Sequence, residues 1–387
     1  MSDRGRPDAR RSDTRDDTGG LSTSRGVHEH LDAFRTKLSG VGAPIQPTSF
    51  TQQESHSMEQ VFLGRTGIKV SRLALGTMTF GGDADREAAA AIYRRAREAG
   101  VDHIDTADVY NRGITEEIVG ELIAGERDRI VLASKAYFAT GEGPNDRGTS
   151  RYHLVRAVEA SLRRLRTDRI DLYYLHRFDE RTDLEVTLRA IEHLIASGKV
   201  LHLGISNFAA WQTAKALGVA RALSLSPAVA IQPMYNLAKR QAEVELLPMA
   251  ASEGLAVFPY SPLGGGLLSG KYGAGKRPEG DRIASWEIYR MRYGSEAAMD
   301  LAERFTALAR EAGHHPAALA VAWVMSHPAV TAPILGARSV AQLEPALAAA
   351  SITLDPELRA RISALTPTPP PATDRNEEGV ATALGSR

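Results

Sequence analysis

The sequence predicts an α/β fold, a (β/α)8 or TIM barrel preceded by a β-hairpin, and two observations support that prediction. Short apolar segments of strand length alternate with segments whose apolar residues recur at helical spacing, and eight such units follow the hairpin. Three consecutive strands also end at an ionisable side chain, which is typical of parallel sheets with their chemistry at the carboxyl ends. A doubly wound open sheet is the alternative arrangement of the same units.

The predicted elements start with the hairpin at residues 61–70, which reverses at a glycine-containing turn. The strands of the sheet are predicted at 73–76, 101–104, 130–134, 171–175, 200–205, 228–232, 255–258 and 329–334. The helices are predicted at 85–99, 115–123, 150–165, 184–196, 209–217, 240–252, 297–312, 316–326, 339–349 and 355–364. The irregular stretch at 261–296 is too long for an ordinary connection, which predicts a lid.

The barrel is expected to occupy residues 58–366, between two segments of different composition. Residues 1–57 are rich in Ser, Thr, Arg, Asp and Gly and show little apolar periodicity, which predicts a disordered leader. A tag, or an upstream start codon before a true start at Met58, are the alternatives for this segment. Residues 367–387 are polar and rich in proline near their start, and we expect a flexible tail.

The composition excludes several classes of protein. Lys+Arg and Asp+Glu are both 47, so no net charge favours nucleic acid or an anionic membrane. There is no cysteine, which excludes disulfides and thiolate chemistry and suits a reducing compartment. The longest apolar runs, such as 319–325, are too short to cross a bilayer. We therefore expect a cytoplasmic protein without nucleic-acid or membrane partners, of unassigned oligomeric state.

Four polar residues follow the second, third and fourth predicted barrel strands: Asp105, Tyr110, Lys135 and His176. Each residue taken alone is more often structural than catalytic, but a barrel would bring all four to one rim. A phenol, with a pKa of about 10, is a poor acid at neutral pH, and a nearby lysine lowers that pKa. An aspartate can hold the lysine charged, and a histidine can donate a hydrogen bond to a carbonyl. Together the four predict protonation of an oxygen while another group delivers hydride.

At these residues the sequence resembles the aldo-keto reductase superfamily, over about 61–347. Asp105 to Tyr110, Ser134-Lys135 and Leu175-His176 look like that family's Asp, Tyr, Lys and His tetrad in order. The resemblance implies reversible reduction of an aldehyde or ketone by a nicotinamide cofactor, usually NADPH, bound across the barrel mouth without a Rossmann fold. It makes Tyr110 the general acid, tuned by Lys135 with Asp105, and gives His176 the role of orienting the carbonyl.

Other segments resemble the family's cofactor-binding motifs. Ser206 and Asn207 resemble the pair that binds the nicotinamide carboxamide, with Gln232 as their companion, since an amide can both donate and accept. Tyr260 resembles the aromatic residue that stacks on the nicotinamide ring. The full set predicted to bind NADPH is Ser206, Asn207, Gln232, Tyr260, Ser261, Leu263, Gly265, Lys271, Gly336, Arg338, Ser339 and Gln342.

Two of these segments interact with phosphate in the predicted site. Gly265 to Lys271 fits the first part of a P-loop, but Tyr272 stands where Ser or Thr would hold magnesium, so we reject an NTPase and predict no metal site. The glycines instead let backbone amides approach a pyrophosphate. Arg338 offers a forked donor set to a 2′-phosphate. Pro345-Ala346 replaces the Glu-Asn that relatives often carry, which puts the usual adenine contact in doubt.

The substrate is the least defined part of the prediction. Phe80 and Phe178 are expected to form apolar walls, and Arg177 either meets an anionic group or faces water. The favoured function is NADPH-dependent reduction of small carbonyl compounds with broad specificity. The alternatives are a dedicated keto-sugar reductase, an NADPH-binding regulatory subunit like the channel β subunits that resemble this family, and a purely structural barrel.

Overall fold

The described chain is built around eight parallel strands that are surrounded by helices. A computed structural model of the protein describes residues 58–273, 275–278, 280 and 282–373. The leader predicted at 1–57 lies outside the described residues, as does the part of the predicted tail from 374 onwards. Residues 367–373 form neither helix nor strand.

The sheet confirms the predicted barrel. Its strands are β3 (Ala74–Gly76), β4 (His103–Asp105), β5 (Val131–Ala136), β6 (Ile170–Leu175), β7 (Val200–Ser206), β8 (Ala228–Gln232), β9 (Ala256–Val257) and β10 (Ile334–Leu335). They pair in the order β10-β3-β4-β5-β6-β7-β8-β9. The two edges also meet, because the amide of Ile334 donates to the carbonyl of Pro259 at 2.9 Å and that of Ala332 to Val257 at 3.3 Å. This closure excludes the open doubly wound sheet.

The predicted hairpin is formed by β1 (Gln60–Phe62) and β2 (Lys69–Ser71), which pair antiparallel. Its buried residues Leu63 and Val70 pack on side chains of the barrel interior such as Leu172. The carboxylate of Asp102, just before β4, accepts hydrogen bonds from the Ser71 amide at 2.7 Å and the Gln60 side chain at 2.9 Å. The hairpin therefore covers the amino-terminal end of the barrel, and the functional site is left to the opposite end.

Twelve helices are described. They are α1 (Arg86–Glu98), α2 (Ile114–Ile123), α3 (Arg151–Leu165), α4 (Leu184–Ala196), α5 (Ala210–Ala222), α6 (Leu246–Glu253), α7 (Arg282–Ser285), α8 (Glu287–Tyr293), α9 (Glu296–Glu311), α10 (Pro316–Met325), α11 (Val340–Leu347) and α12 (Pro356–Ser363). Side-chain caps start several of them: Asp85, Ser150, Ser295 and Asp355 each accept a backbone amide of the first turn. None of the described helices is both long and apolar enough to cross a membrane.

The structure differs from the predicted elements most clearly at two helices and one strand. Helix α5 continues through Gly218 to Ala222, because that glycine has ordinary helical geometry and Ala220 beyond it is buried. The helix predicted at 240–252 is a 3-10 turn at Gln241–Glu243 followed by α6. The last strand is shorter than 329–334 and ends one residue later.

The segment at 261–296 is not wholly irregular as predicted. It contains a 3-10 turn at Gly264–Ser269 and the short helices α7 and α8. Tyr289 and Tyr293, spaced four residues apart on α8, are both buried. This apolar pair holds the helix on the barrel, a helical signal that the surrounding glycine and proline residues hid in the sequence.

Candidate active site

A cavity of about 990 Å³ opens at the carboxyl ends of the barrel strands, within the size range of small-molecule sites. It is bordered by the strand ends, by the glycine-rich loop after Tyr260 and by helix α8. The predicted site residues that line it are Asp105, Tyr110, His176, Arg177, Ser206, Asn207, Gln232, Tyr260, Ser261, Leu263, Gly265, Lys271, Gly336, Arg338 and Gln342. The structure thus brings together nearly all the residues that the sequence singled out, from strands and loops far apart in the chain.

Lys135 lies beneath the cavity floor and joins two of the predicted tetrad residues. Its side chain is 0% exposed, and its Nζ lies 2.6 Å from Oδ1 of Asp105. The same ammonium donates to the carbonyl of Thr106 at 2.8 Å and to the hydroxyl of Tyr110 at 3.3 Å. The three donors of the ammonium therefore each have an acceptor, which fixes the lysine against the phenol.

The charges around Lys135 set the proton states of the pair. Burial alone would lower the pKa of Lys135, but the Asp105 carboxylate and Tyr110 outweigh it and raise that pKa above its usual value. Burial also raises the pKa of Tyr110, and Lys135 opposes this increase without overcoming it. The lysine thus acts in the expected direction, but burial outweighs it and the net shift is upward. In this structure Tyr110 is protonated at neutral pH, the state that a general acid needs before it acts.

His176 is the third group at the floor. Burial, reinforced by the charge of Lys135, lowers the pKa of His176 well below its ordinary value, so the ring is neutral at neutral pH. Its Nδ1 is buried without a hydrogen-bond partner among the described residues. The ring meets Phe138 edge-on, with centroids 5.0 Å apart, and Tyr110 at 6.1 Å. A neutral imidazole held in this way can donate one hydrogen bond to a ligand oxygen.

A chain of side-chain hydrogen bonds crosses the site from Tyr260 to Asp105. The Tyr260 hydroxyl donates to Oδ1 of Asn207 at 2.8 Å, and the Asn207 amide donates to Oγ of Ser206 at 3.1 Å. Ser206 donates to the backbone carbonyl of Gln232 at 3.0 Å, and the Gln232 amide donates to Oδ2 of Asp105 at 2.8 Å. The predicted carboxamide-binding residues and the tetrad therefore form one connected polar unit.

The loop that carries Tyr110 is anchored to the loop after β3. The Asn111 amide donates to the carbonyls of Met78 at 3.1 Å and Phe80 at 2.9 Å. Asn111 has a positive φ of 44°, a left-handed conformation that asparagine tolerates better than most residues. Met78 lines the cavity next to this anchor.

The glycine-rich loop has the backbone geometry expected of an anion-binding segment. Gly265 and Gly266 have φ values of 67° and 100°, which side chains rarely allow. A Cβ added at Gly266 would lie 3.4 Å from Nζ of Lys271, and one at Gly265 would clash with the ring of Tyr289 at 2.5 Å. Consecutive amides in such a conformation can turn toward a phosphate.

The cavity is strongly cationic. The basic residues that line it are Arg177, Lys271, Arg282, Arg292 and Arg338. Asp105 is the single carboxylate among the described lining residues, and Lys135 already balances it. A cavity with this charge is suited to a ligand that carries several negative groups.

Besides Lys135, which lies beneath the cavity floor, three predicted site residues do not line the cavity. Phe80, predicted as a pocket wall, is 0% exposed and belongs to the core beneath the barrel rim, so that prediction is wrong. Phe178, the other predicted wall, packs edge-on against Phe208 and Trp211 outside the cavity. Ser339 is the N-cap residue of α11 and is not among the residues that line the cavity. The two phenylalanines follow strands as predicted, but neither lines the cavity.

The sequence reasoning also missed residues that border the site. Phe138 and Val109 join Met78 as apolar lining, and Phe138 contacts the ring of His176. Phe138 follows the predicted lysine strand by a few residues, a position that could have marked it. Tyr289 and Arg292 of α8 were hidden within a segment predicted as irregular.

A buried polar cluster lies behind the tetrad. Ser134 donates to Glu116 at 2.6 Å and Arg164 donates to the same carboxylate at 2.7 Å, so Glu116 is fully buried rather than a surface residue of the first helical turn. The amide of Asp108 donates to the carbonyl of Lys135 at 3.1 Å. Burial, reinforced by the Glu116 carboxylate, raises the pKa of Asp108 well above its ordinary value. The cluster thus ties the loop at 105–110 to the neighbouring strand.

Comparison with known proteins places this geometry in a family. The model of the aldo/keto reductase family matches residues 72–366. An uncharacterized oxidoreductase of Bacillus subtilis (strain 168), YrpG, is 42% identical over 81% of this chain and 97% of its own. A probable voltage-gated potassium channel subunit beta of Oryza sativa subsp. japonica is 37% identical over 82% and 99%. Norsolorinic acid reductase stcV of Emericella nidulans is 37% identical over 75% and 77%. The chain therefore belongs to the aldo/keto reductase family of oxidoreductases.

Proposed function

We propose that the protein reduces aldehydes or ketones to alcohols with NADPH, and that Tyr110 is the general acid. The observation that carries this proposal is the arrangement beneath the cavity floor. A protonated phenol lies 3.3 Å from a buried ammonium that Asp105 holds in place, and a neutral His176 lies beside it. Few reactions need a phenol with a cation directly behind it, and delivery of a proton to a nascent alkoxide is one of them.

The cavity residues fit a nicotinamide dinucleotide. The glycine loop and Lys271 would hold the pyrophosphate, and Arg338 at the start of α11 would hold the 2′-phosphate. Ser206, Asn207 and Gln232 would bind the carboxamide, in addition to the hydrogen bonds they already make among themselves. When bound, NADPH supplies the hydride. Pro345 and Ala346 line the adenosine end and offer apolar contact only, so less polar recognition of adenine is expected there.

The protein residues would divide the work of protonation. Negative charge grows on the carbonyl oxygen during reduction, and Tyr110 donates its proton to that oxygen. Lys135 stabilises the phenolate that remains, because its ammonium already touches the phenol oxygen. His176, neutral and buried, donates a hydrogen bond that orients the carbonyl. Phe138 and Met78 line the cavity and would offer apolar contact to the substrate.

A regulatory subunit is the second candidate. The names of relatives from Oryza sativa subsp. japonica and Arabidopsis thaliana, each 37% identical to this chain, include a potassium channel subunit beta. Under this alternative the protein would bind NADPH as a signal and turn over slowly or not at all. A dedicated keto-sugar reductase is a narrower form of the first candidate.

Turnover with a panel of activated aldehydes distinguishes these functions. We expect steady loss of NADPH absorbance on addition of aldehyde, and one molecule of alcohol for each NADPH consumed. A tight NADPH complex that no aldehyde oxidises would favour the regulatory subunit. Absence of nucleotide binding would leave only a structural barrel and would contradict both proposals.

A further inference from the structure

The positive charges of the cavity fall into two groups. Lys271 lies against the glycine loop, and Arg338 precedes α11, where the phosphates of the proposed cofactor would bind. The guanidinium of Arg282 lies 4.6 Å from the ring centroid of Tyr289, which itself covers Gly265 of that loop. These three cations therefore belong to the phosphate-binding part of the cavity. Arg177 and Arg292 remain.

Arg177 lies at the catalytic end. It directly follows His176, whose ring contacts both Tyr110 and Phe138, and its own side chain lines the cavity. It is exposed, and within the described part of the chain no ion pair or hydrogen bond engages its guanidinium. Its charge is thus available to a ligand that reaches the tetrad.

Arg292 approaches the same end from helix α8. It lines the cavity together with Ile288, one helical turn earlier, and it is only partly exposed. The next residue, Tyr293, accepts a hydrogen bond from the Asn236 side chain at 3.1 Å, and the same amide donates to the carbonyl of Ser261 at 2.9 Å. This places the end of α8 beside Tyr260, and the charge of Arg292 correspondingly opposes the increase in the Tyr260 pKa that burial causes. Tyr260 in turn bonds to Asn207, in the predicted carboxamide site. Among the residues the structure describes, none forms an ion pair with Arg292.

The cofactor does not account for these two arginines. The nicotinamide end of the proposed cofactor presents a neutral carboxamide, so it offers no phosphate to cations beside the tetrad. The apolar part of the lining at this end comes from Met78, Val109 and Phe138. Guanidinium groups recognise carboxylates through paired, charge-assisted hydrogen bonds.

We propose that the preferred substrate is a carbonyl compound with an apolar body and a carboxylate, which Arg177 and Arg292 bind while the carbonyl reaches Tyr110. This inference rests on the proposed function and names the substrate class for the same site.

A matched pair of aldehydes tests it on the full chain. 4-Formylbenzoate and its methyl ester share the ring and the formyl group but differ by one negative charge. The ester is the more electrophilic aldehyde, so intrinsic reactivity works against the expected preference. We expect kcat/KM for the carboxylate to exceed that for the ester by about tenfold or more. Arg177→Gln and Arg292→Gln should each lower this ratio by roughly tenfold, and Arg292→Lys should keep part of it.

Arg181→Gln is the control for long-range charge. Arg181 is exposed near Arg177 but does not line the cavity, so its loss should leave the ratio as it is in the parent. A parent ratio near one, or an unchanged ratio in both glutamine variants, would overturn the inference while leaving the reductase proposal standing. The inference would also be overturned if Arg292→Gln weakened NADPH binding but left the kcat/KM ratio of the two aldehydes unchanged. That result would assign Arg292 to cofactor binding.

A binding measurement keeps the inference testable if neither aldehyde is reduced. That result would contradict the proposed function. Calorimetric titration of the NADPH complex with 4-(hydroxymethyl)benzoate and with its methyl ester would then test whether Arg177 and Arg292 form a carboxylate-binding site. Tighter binding of the carboxylate, lost in Arg177→Gln and Arg292→Gln, supports an anion site, and equal binding refutes it.

Discussion

Replacing Lys135 with methionine should destabilise the barrel by about 3–5 kcal/mol, the usual cost of removing one partner from a buried ion pair. The side chains of Lys135 and Asp105 are 0% and 4% exposed, and their charged atoms lie 2.6 Å apart. Without the ammonium, the Asp105 carboxylate stays buried with the Gln232 amide at 2.8 Å as its remaining side-chain partner. With an m-value of about 3 kcal/mol/M, the urea midpoint should fall by about 1 M or more.

The double variant Lys135→Met/Asp105→Asn shows whether the charge is the cause. Asparagine removes the charge of Asp105 but keeps an oxygen that accepts from Gln232, so the new cost is limited to the neutral NH2 group that replaces the second carboxylate oxygen. We expect the double variant to recover about half of the loss or more, a coupling typical of residues in direct contact. Urea unfolding followed by tryptophan fluorescence measures all four proteins of the cycle. A double variant no more stable than Lys135→Met would refute the buried ion pair as the source of the cost.

Three further predictions concern the cofactor, a buried carboxyl and a helix contact. Arg338→Ala should weaken NADPH binding by roughly 1.5–3 kcal/mol and NADH binding little, and equal losses in titrations of the two cofactors would remove Arg338 from the 2′-phosphate. Because the folded state raises the pKa of Asp108, it retains a proton that the unfolded state releases, and this costs stability as pH rises above the unfolded value of about 3.9. The urea midpoint of Asp108→Asn relative to the parent should therefore increase from about pH 5 to about pH 8, and a pH-independent difference would contradict the raised pKa. Gly120→Ala should destabilise the protein by about 1–3 kcal/mol, since the added Cβ would lie 2.6 Å from the backbone of Leu165. The control Gly218→Ala, with nothing within 4 Å, should stabilise it by about 0.5–1 kcal/mol, and equal effects in thermal melts would argue against the close helix contact.

The tetrad could be predicted from the sequence because the geometry of parallel strands does most of the placement. Asp105 and Lys135 end neighbouring strands, and His176 follows the next one, so a closed barrel must bring them to one rim. Tyr110 lies only five residues after Asp105, within reach of the same point. Strand periodicity and strand-end residues were sufficient for this part of the site.

Side-chain direction and long-range burial could not be predicted in the same way. Phe80 follows a strand, as a pocket residue would, but its ring turns into the core. Glu116 has the sequence position of a surface residue at a helix start, yet Ser134 and Arg164 bury it from elsewhere in the chain. Arg292 enters the site through a short helix that only tertiary packing stabilises.

Transfer of a proton from Tyr110 is the central claim, and Tyr110→Phe tests it most directly. The substitution removes the hydroxyl and little volume, so the cavity and the NADPH affinity should be preserved. Stopped-flow oxidation of bound NADPH by an activated aldehyde measures the reductive step itself. We predict a rate lower by a factor on the order of 10² to 10⁴, the range for a positioned general acid, with unchanged NADPH affinity. A Tyr110→Phe variant that oxidises NADPH within a few-fold of the parent rate would contradict the assignment of Tyr110 as the proton donor.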